Sequence, residues 1–249
     1  MSTILIKLRD RRCHARSSPA CQIALIAVLL NGPASATELS ISSTSPIPQL
    51  EIGKRKNIPL ADLPPTVRAL ANDERQSMVN GMLISDEEYL QRSNYHARLQ
   101  DERNLQGRIK LRLATLDGSE LSRFRYHGLL PDGPTRDGPW TSVIRVFSRA
   151  DGLLIMLDEW DYVASGGGVV TVKEMMNAKV GPWPARFIVK KTADGRAISE
   201  LTWASDEKYL TLSVWEDLSK PNRRNGDDLA WLIGIADQLD SVQSQASTK

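Results

Sequence analysis

The chain has few of the residues, and none of the motifs, on which most catalysts and metal proteins depend. Its 249 residues include two cysteines and three histidines. Both cysteines, Cys13 and Cys21, lie near the start, so the chain after residue 36 has no thiol nucleophile and no disulfide framework. Gly-x-Ser-x-Gly, His-Glu-x-x-His and phosphate-binding Gly/Lys motifs are also missing. We therefore expect no catalytic residues, no cofactor and no metal site.

The two histidines after residue 36 do not form a catalytic or metal-binding pattern. A catalytic triad or a zinc site needs a histidine together with a close carboxylate or further ligands. His96 lies in a polar segment, which favours exposure to solvent. His127 follows Arg-Phe-Arg-Tyr at the end of a strand pattern. We predict that His127 is a partly buried structural histidine.

Apolar runs are short. The run Ile23–Leu30 has eight residues, and a helix of that length rises roughly 12 Å, against about 30 Å of bilayer hydrocarbon. Five basic residues precede it, Asn-Gly-Pro follows at 31–33, and Ala-Ser-Ala at 34–36 gives a small-x-small site. This order is typical of a secretory signal peptide. We predict that residues 1–36 are a signal peptide cleaved after Ala36; the alternative is a buried N-terminal helix.

Cleavage of the predicted signal peptide changes the net charge of the chain, and the signal peptide itself predicts the location of the protein. The whole chain has 32 basic and 30 acidic residues, of which residues 1–36 contain five and one. The mature chain then has 27 basic and 29 acidic residues, and this near-neutral balance gives no electrostatic case for a nucleic-acid partner. We predict a periplasmic or secreted protein with no transmembrane segment in the mature chain.

The first part of the mature chain is predicted to be a flexible leader followed by helices. Residues 37–57 are rich in Ser, Thr and Pro and are predicted to be flexible. Residues 58–106 are predicted to be helical. A first helix opens at Pro64-Pro65 and ends at Asn80-Gly81, and a capping box beginning at Ser85 opens a second, long and largely exposed helix.

The second part, residues 107–243, is predicted to be an antiparallel β domain with a closing helix. Six segments alternate or carry β-forming residues with turn residues between them, at 141–148, 153–163, 169–175, 185–191, 197–204 and 208–215. Residues 107–116 also alternate, and both a strand and a helix remain open for them, with a hairpin turn at Asp117-Gly118. The fold class that follows is α+β, with a meander sheet of about six to eight strands and helices before and after it.

The closing helix follows from an apolar stripe near the C-terminus. Leu229, Leu232, Ile233, Ala236 and Leu239 repeat at helical spacing. We expect Leu232 and Ile233 to pack against Trp203 and Leu212 and so to cover one face of the sheet. The tail, residues 244–249, is predicted to be disordered.

The last strand gives the candidate interaction surface. Leu210, Leu212 and Val214 share one face of this strand, and Tyr209, Thr211, Ser213 and Trp215 share the other. If the first face packs on the helix, the second presents two aromatic side chains for a partner. The alternative is that the N-terminal helices cover these aromatic side chains.

An acidic group offers a rival function. Asp158, Glu159 and Asp161 lie close together in sequence, and Glu159 and Asp161 share a strand face by their spacing. Paired carboxylates bind Ca²⁺ or act as acid and base. The alternative is a strand that leaves the core towards solvent.

A further pattern in the C-terminal quarter is formed by Leu201, Trp203, Tyr209, Leu212, Leu229, Ile235 and Ala236. It is similar to that of a domain of unknown function found on the extracytoplasmic side of some bacterial anti-sigma factors and envelope lipoproteins. The resemblance implies an envelope sensor or binding module. A curved sheet with a covering helix also resembles envelope lipoprotein carriers in architecture.

The sequence therefore predicts a non-enzymatic exported protein of the bacterial envelope that binds a partner protein or an apolar ligand. Two alternatives remain open. One is a carrier that holds a lipid between the sheet and the helix. The other is a hydrolase that uses Glu159 and Asp161.

Overall fold

A computed structural model gives the fold. It describes residues 6–9, 25–28, 53–87, 89, 95, 98–105, 107–132, 138–217 and 228–246. The helices in this part of the chain are α1 (Pro65–Asn80) and α2 (Asp228–Ala246). The strands are β1 (Ile6–Arg9), β2 (Leu25–Val28), β3 (Arg55–Ile58), β4 (Met82–Leu83), β5 (Arg125–Asp132), β6 (Ser142–Ser148), β7 (Leu154–Asp161), β8 (Val169–Val172), β9 (Ala178–Val180), β10 (Trp183–Lys191), β11 (Arg196–Ala204) and β12 (Lys208–Asp217).

The main sheet has eight strands and is largely antiparallel, as the sequence predicts. Its order is β4-β10-β11-β12-β7-β6-β5, and β9 also pairs with β10. The single predicted meander is instead two three-strand meanders, β5-β6-β7 and β10-β11-β12. They are joined by antiparallel pairing of β12 with β7. Between them the chain leaves the sheet to form β8, which pairs in parallel with β3.

The outer edge of β10 is closed along its length. β9 pairs with the first part of β10, and β4 pairs with Lys190 and Lys191. Between them, the side-chain amide of Asn177 accepts a hydrogen bond from the Phe187 N–H at 2.7 Å and donates one to the Phe187 carbonyl at 2.9 Å. One side chain therefore takes the place of a neighbouring strand there.

One face of the sheet, the first face, packs against α2 and confirms the predicted closing helix. Leu232, Ile235, Ala236 and Leu239 of α2 are buried in one cluster with apolar side chains of β6, β7, β10, β11 and β12, including Trp203, Leu210, Leu212 and Val214. Ile233, which was expected to be as deep as Leu232, is half-buried at the rim of this cluster. The helix runs to Ala246, three residues into the predicted tail.

The opposite, second face is contacted by α1 and by residues that follow β4. Glu74 of α1 pairs with Arg186 on this face of β10, while the apolar side chains of α1 pack on β8 and the residues after it, in a cluster that includes Val67, Ala71, Val172 and Met175. Elsewhere on this face, Ile84 and Tyr95 lie in a cluster with Val146, Met156, Ile198 and Trp215 of the sheet. Two different parts of the N-terminal segment therefore contact the second face.

The predicted N-terminal helices are found only in part. α1 begins at Pro65 and ends at Asn80, and Gly81 follows it. The long second helix is wrong for the described part of residues 95–105, where Gln100 forms an antiparallel bridge with Leu129 and Glu102–Leu105 is a 3₁₀ turn. Tyr95 and Leu105 are buried, so this segment packs on the sheet and does not project into solvent. The end of the predicted leader also differs, since residues 55–57 belong to β3.

Residues 107–118 form neither the predicted strand nor the alternative helix. They cross the first face as irregular chain, with Ile109 in an isolated bridge to Trp140. The segment after the turn forms a 3₁₀ helix, Glu120–Arg123, and then β5, whose partner is β6. The expected hairpin at Asp117-Gly118 is therefore wrong. The physical reason is that charged side chains of the sheet, described below, bind the main chain of this segment in place of a strand.

The predicted signal segment is described only at β1 and β2, which pair with each other in antiparallel orientation. This pairing does not test export. Among the described residues, neither helix combines the length and the apolar character that crossing a bilayer requires.

Candidate functional site on the second face

The four residues of the candidate interaction surface lie on the second face of β12, as their alternation predicts. Their exposure differs from the first of the two alternatives. Trp215 is buried, with its ring 5.1 Å from that of Tyr89, and its indole N–H donates to the Ser213 hydroxyl at 3.3 Å. Tyr209 and Thr211 are half-buried. Trp215 therefore packs against Tyr89 of the N-terminal segment, which agrees with the second alternative for this residue, and of the two aromatic side chains only Tyr209 is partly exposed.

Pairing across the strands places Thr211 in a row of polar side chains. Asp158 of β7, Thr211 of β12, Thr202 of β11 and Arg186 of β10 are cross-strand neighbours in register. The two threonine hydroxyls are 3.3 Å apart. The next row on the same face contains Ser213 and Glu200. We call these six residues, with Tyr209, the polar strip.

Two ion pairs anchor the polar strip at its β10 side. Arg186 Nη1 donates to Glu74 Oε1 of α1 at 2.5 Å, and both residues are about 5% exposed. Lys190 Nζ donates to Glu200 at 2.9 Å, and Lys190 is 1% exposed. Charges buried to this degree are tolerated because each has an opposite charge in contact.

Tyr209 is the member of the polar strip whose pKa these charges affect. The charges of Arg186, Glu74, Asp158 and Glu200 all act on the pKa of its phenol. Burial raises the pKa of Tyr209 to about 12, and the neighbouring carboxylates add to the effect while Arg186 opposes it. Tyr209 is therefore a neutral hydroxyl, which donates as well as accepts, throughout the physiological range.

We expect the raised pKa of Tyr209 to make stability fall in alkaline solution. Because the folded pKa lies above the ordinary value of 10.0, the contribution is complete below pH 10 and is lost as the pH rises towards about 12. Tyr209→Phe should make the melting temperature less sensitive to pH across this window. Thermal denaturation at a series of alkaline pH values checks the expectation. An unchanged pH profile for Tyr209→Phe contradicts it.

Only part of the polar strip reaches solvent. Asp158, Thr211 and Tyr209 are half-buried, whereas Arg186, Glu200, Thr202 and Ser213 are buried. The Trp160 ring lies 6.3 Å from that of Tyr209, and apolar clusters that include Trp160 and Trp215 lie at the two ends of the strip along β12. A sheet face that packs against helices is more stable when it is apolar, since buried polar groups lose hydration. Polar residues kept there at this cost make the polar strip the candidate functional site.

The two carboxylates of the hydrolase alternative do not converge in a cleft. Glu159 is fully buried on the first face, where Arg145 Nη2 lies 2.5 Å and Lys208 Nζ 3.3 Å from its oxygens. Asp161, at the end of β7, accepts a hydrogen bond from the Ala164 N–H at 2.7 Å and so stabilises a turn.

Glu159, Arg145 and Lys208 form a buried charged cluster that binds the main chain of the irregular segment. The Ala114 N–H donates to Glu159 Oε2 at 2.7 Å. Arg145 donates to the Ala114 carbonyl at 2.8 Å, and Lys208 donates to the Arg112 carbonyl. The role of these charges is therefore to fix the segment across the first face.

Two further expectations from the sequence concern the histidines and a metal site, neither of which involves the polar strip. His127 is half-buried and lies 2.7 Å from the Ser148 hydroxyl, as expected for a structural histidine. His96 lies outside the described residues. Within the described ranges, no three His, Cys, Asp or Glu side chains come together in a way that suits a metal ion.

Sequence reasoning found three members of the polar strip on β12 and missed the others. Asp158 was considered only with its neighbours in sequence, and Glu74, Arg186, Glu200 and Thr202 were not considered. The available signal was that each of these otherwise apolar strands carries a charged residue at an interior position: Asp158 in β7, Arg186 in β10 and Glu200 in β11. Comparison with protein-family models, with curated proteins and with solved structures gave no match.

Proposed function

We propose that this is an exported, non-enzymatic binding protein of the bacterial envelope, and that its ligand is a small polar molecule bound on the polar strip. The observation that supports the site is that Asp158, Thr211 and Tyr209 are half-buried polar neighbours on the second face, beside buried Arg186 and Glu200. The proposal of export rests on the order of basic, apolar and small residues in 1–36. The resemblance to an extracytoplasmic envelope domain agrees with it.

The polar strip favours a polar ligand over the apolar ligand of the carrier alternative. An open cavity for a lipid between the sheet and α2 would leave the side chains that line it accessible. Instead Leu232, Ala236 and Leu239 have no exposed surface, and Trp203 and Ile235 are 1% exposed. The first face is therefore the packed core, and the second face is the candidate for binding.

One experiment tests location and binding together. The protein is expressed in its own host, taken from the extracytoplasmic fraction and weighed by native mass spectrometry. We expect a polypeptide that begins at Thr37, with a fraction carrying a bound small molecule. Intact Met1 on folded cytoplasmic protein contradicts export.

A matched pair of variants links the bound molecule to the polar strip. Thr211→Val keeps the shape of the side chain and removes a hydroxyl from the strip, whereas Thr115→Val removes an exposed hydroxyl elsewhere. We expect Thr211→Val to lose most of the bound species and Thr115→Val to retain it. Equal retention by both variants would show that the ligand binds elsewhere.

A further inference from the structure

α1 buries much less apolar surface against the rest of the protein than α2 does. Among the side chains of α1 whose burial the structure describes, the buried apolar ones are Val67 and Ala71, while Leu70 and Met78 keep exposed surface. α2 buries four apolar side chains, and three of them are large aliphatic ones. The free energy that holds a helix in place rises with the apolar area that it buries. α1 should therefore detach at a lower cost in free energy than α2.

The contact of α1 with the polar strip is ionic. Glu74 lies on the same side of the helix as Val67 and Ala71, and its carboxylate is 2.5 Å from Nη1 of Arg186. When two buried ions separate into water, both regain hydration, and this offsets much of the attraction that is lost. The ion pair therefore fixes where α1 lies but opposes its release less than an apolar contact of the same size would.

The C-terminal end of α1 is joined to the sheet through one residue, Gly81. Its φ is +86°, and a Cβ atom at this position would meet no described atom within 4 Å. The next residue, Met82, already pairs with Lys190 of β10. A few residues at the end of an element can absorb the change in dihedral angles when that element moves. The joint at Gly81 therefore lets α1 swing while β4 stays paired with β10.

We propose that α1 is a lid on the polar strip, and that it opens while the sheet and α2 stay folded. Opening carries Glu74 away from Arg186 and exposes the β10 side of the strip to solvent. Elements that move for binding are generally the ones with few buried apolar contacts. The inference rests on the proposed function, since the lid controls access of the ligand to the same site, but its test needs no ligand.

Thiol labelling of two buried alanine positions tests the lid. Cys13 and Cys21 are replaced by Ser in the full chain, so that each variant has a single thiol. Ala71→Cys places this thiol on the inner side of α1, and Ala236→Cys places it on the inner side of α2; neither alanine has exposed surface. We expect a thiol reagent to label Ala71→Cys about 100-fold faster than Ala236→Cys, because α1 opens locally. The rate for Ala71→Cys should also depend less on urea, since local opening exposes less surface than global unfolding.

A second pair of variants tests the ion pair in the Ala71→Cys chain. Glu74→Gln should raise the labelling rate by about tenfold or more, because Arg186 is then buried without a counter-charge until α1 opens. Asp73→Asn is the matched control, since it removes an exposed carboxylate from the neighbouring position of the same helix. We expect the control to label at the rate of the Ala71→Cys chain itself.

The outcomes separate the lid from the proposed function. Equal labelling of Ala71→Cys and Ala236→Cys, with the same dependence on urea, overturns the lid, because α1 then detaches only when the whole domain unfolds. Equal rates for Glu74→Gln and Asp73→Asn overturn the part assigned to the ion pair. In either case a molecule retained in native mass spectrometry and lost in Thr211→Val still supports the proposed function. Fast labelling of Ala71→Cys supports the lid even where both threonine variants retain the molecule equally, a result that contradicts only the binding site.

Discussion

Glu159→Gln should destabilise the protein by about 3–5 kcal/mol, the usual result of removing one partner from a buried ion pair. The substitution keeps the size of the side chain but leaves Arg145 and Lys208 as cations that are 4% and 1% exposed, without a neutralising carboxylate. A domain of this kind is stable by roughly 5–15 kcal/mol, so the change removes a large part of its stability. Urea denaturation followed by tryptophan fluorescence measures it.

The matched control is Glu207→Gln, which removes an exposed carboxylate close to Lys208 in sequence. Its effect should stay within about 0.5 kcal/mol. Glu159→Gln unfolding at the same urea concentration as Glu207→Gln would contradict the burial of the charged cluster.

Leu232→Ala with Ile235→Ala should unfold the β domain at ambient temperature. Both side chains are buried against the first face, at 0% and 1% exposure. Truncating each costs about 2–5 kcal/mol, because apolar contacts are lost and a cavity remains. The sum is comparable to the whole stability of a domain. Circular dichroism and the tryptophan emission maximum report the loss.

Ala230→Gly with Gly234→Ala is the control for α2, since both positions are exposed on the same helix. The first change lowers helix propensity by about 1 kcal/mol and the second raises it by a similar amount, so stability should change little. If the buried double variant folds as well as this control, α2 does not provide the cover of the first face.

The alternation within each strand was predictable, but the pairing that builds the polar strip was not. Leu212 and Thr211 lie on opposite faces because successive side chains of a strand alternate, and this is local information. Asp158 and Thr211 become neighbours only through the β7–β12 pairing, which joins residues more than fifty positions apart. No turn sequence connects these two strands, so nothing local specifies their register.

The irregular segment over the first face shows why a correct pattern led to a wrong element. Residues 109, 111 and 113 do alternate as a strand does. Their main-chain neighbours, Ala114 and Arg112, are nevertheless hydrogen-bonded to Glu159, Arg145 and Lys208 of distant strands. A backbone group needs a partner but does not require that partner to be another strand. Long-range side chains therefore replaced the ladder that the local pattern indicated.

The closed outer edge of β10 also affects how the protein behaves among other copies of itself. A sheet edge with unpaired N–H and C=O groups is a template for a strand from another molecule, and such pairing leads to aggregation. At β10 the template is interrupted by Asn177, whose amide binds both main-chain groups of Phe187. Asn177 therefore blocks the addition of a strand from another molecule at Phe187. We expect this contact to limit aggregation at high protein concentration, which a measurement of folding stability alone does not detect.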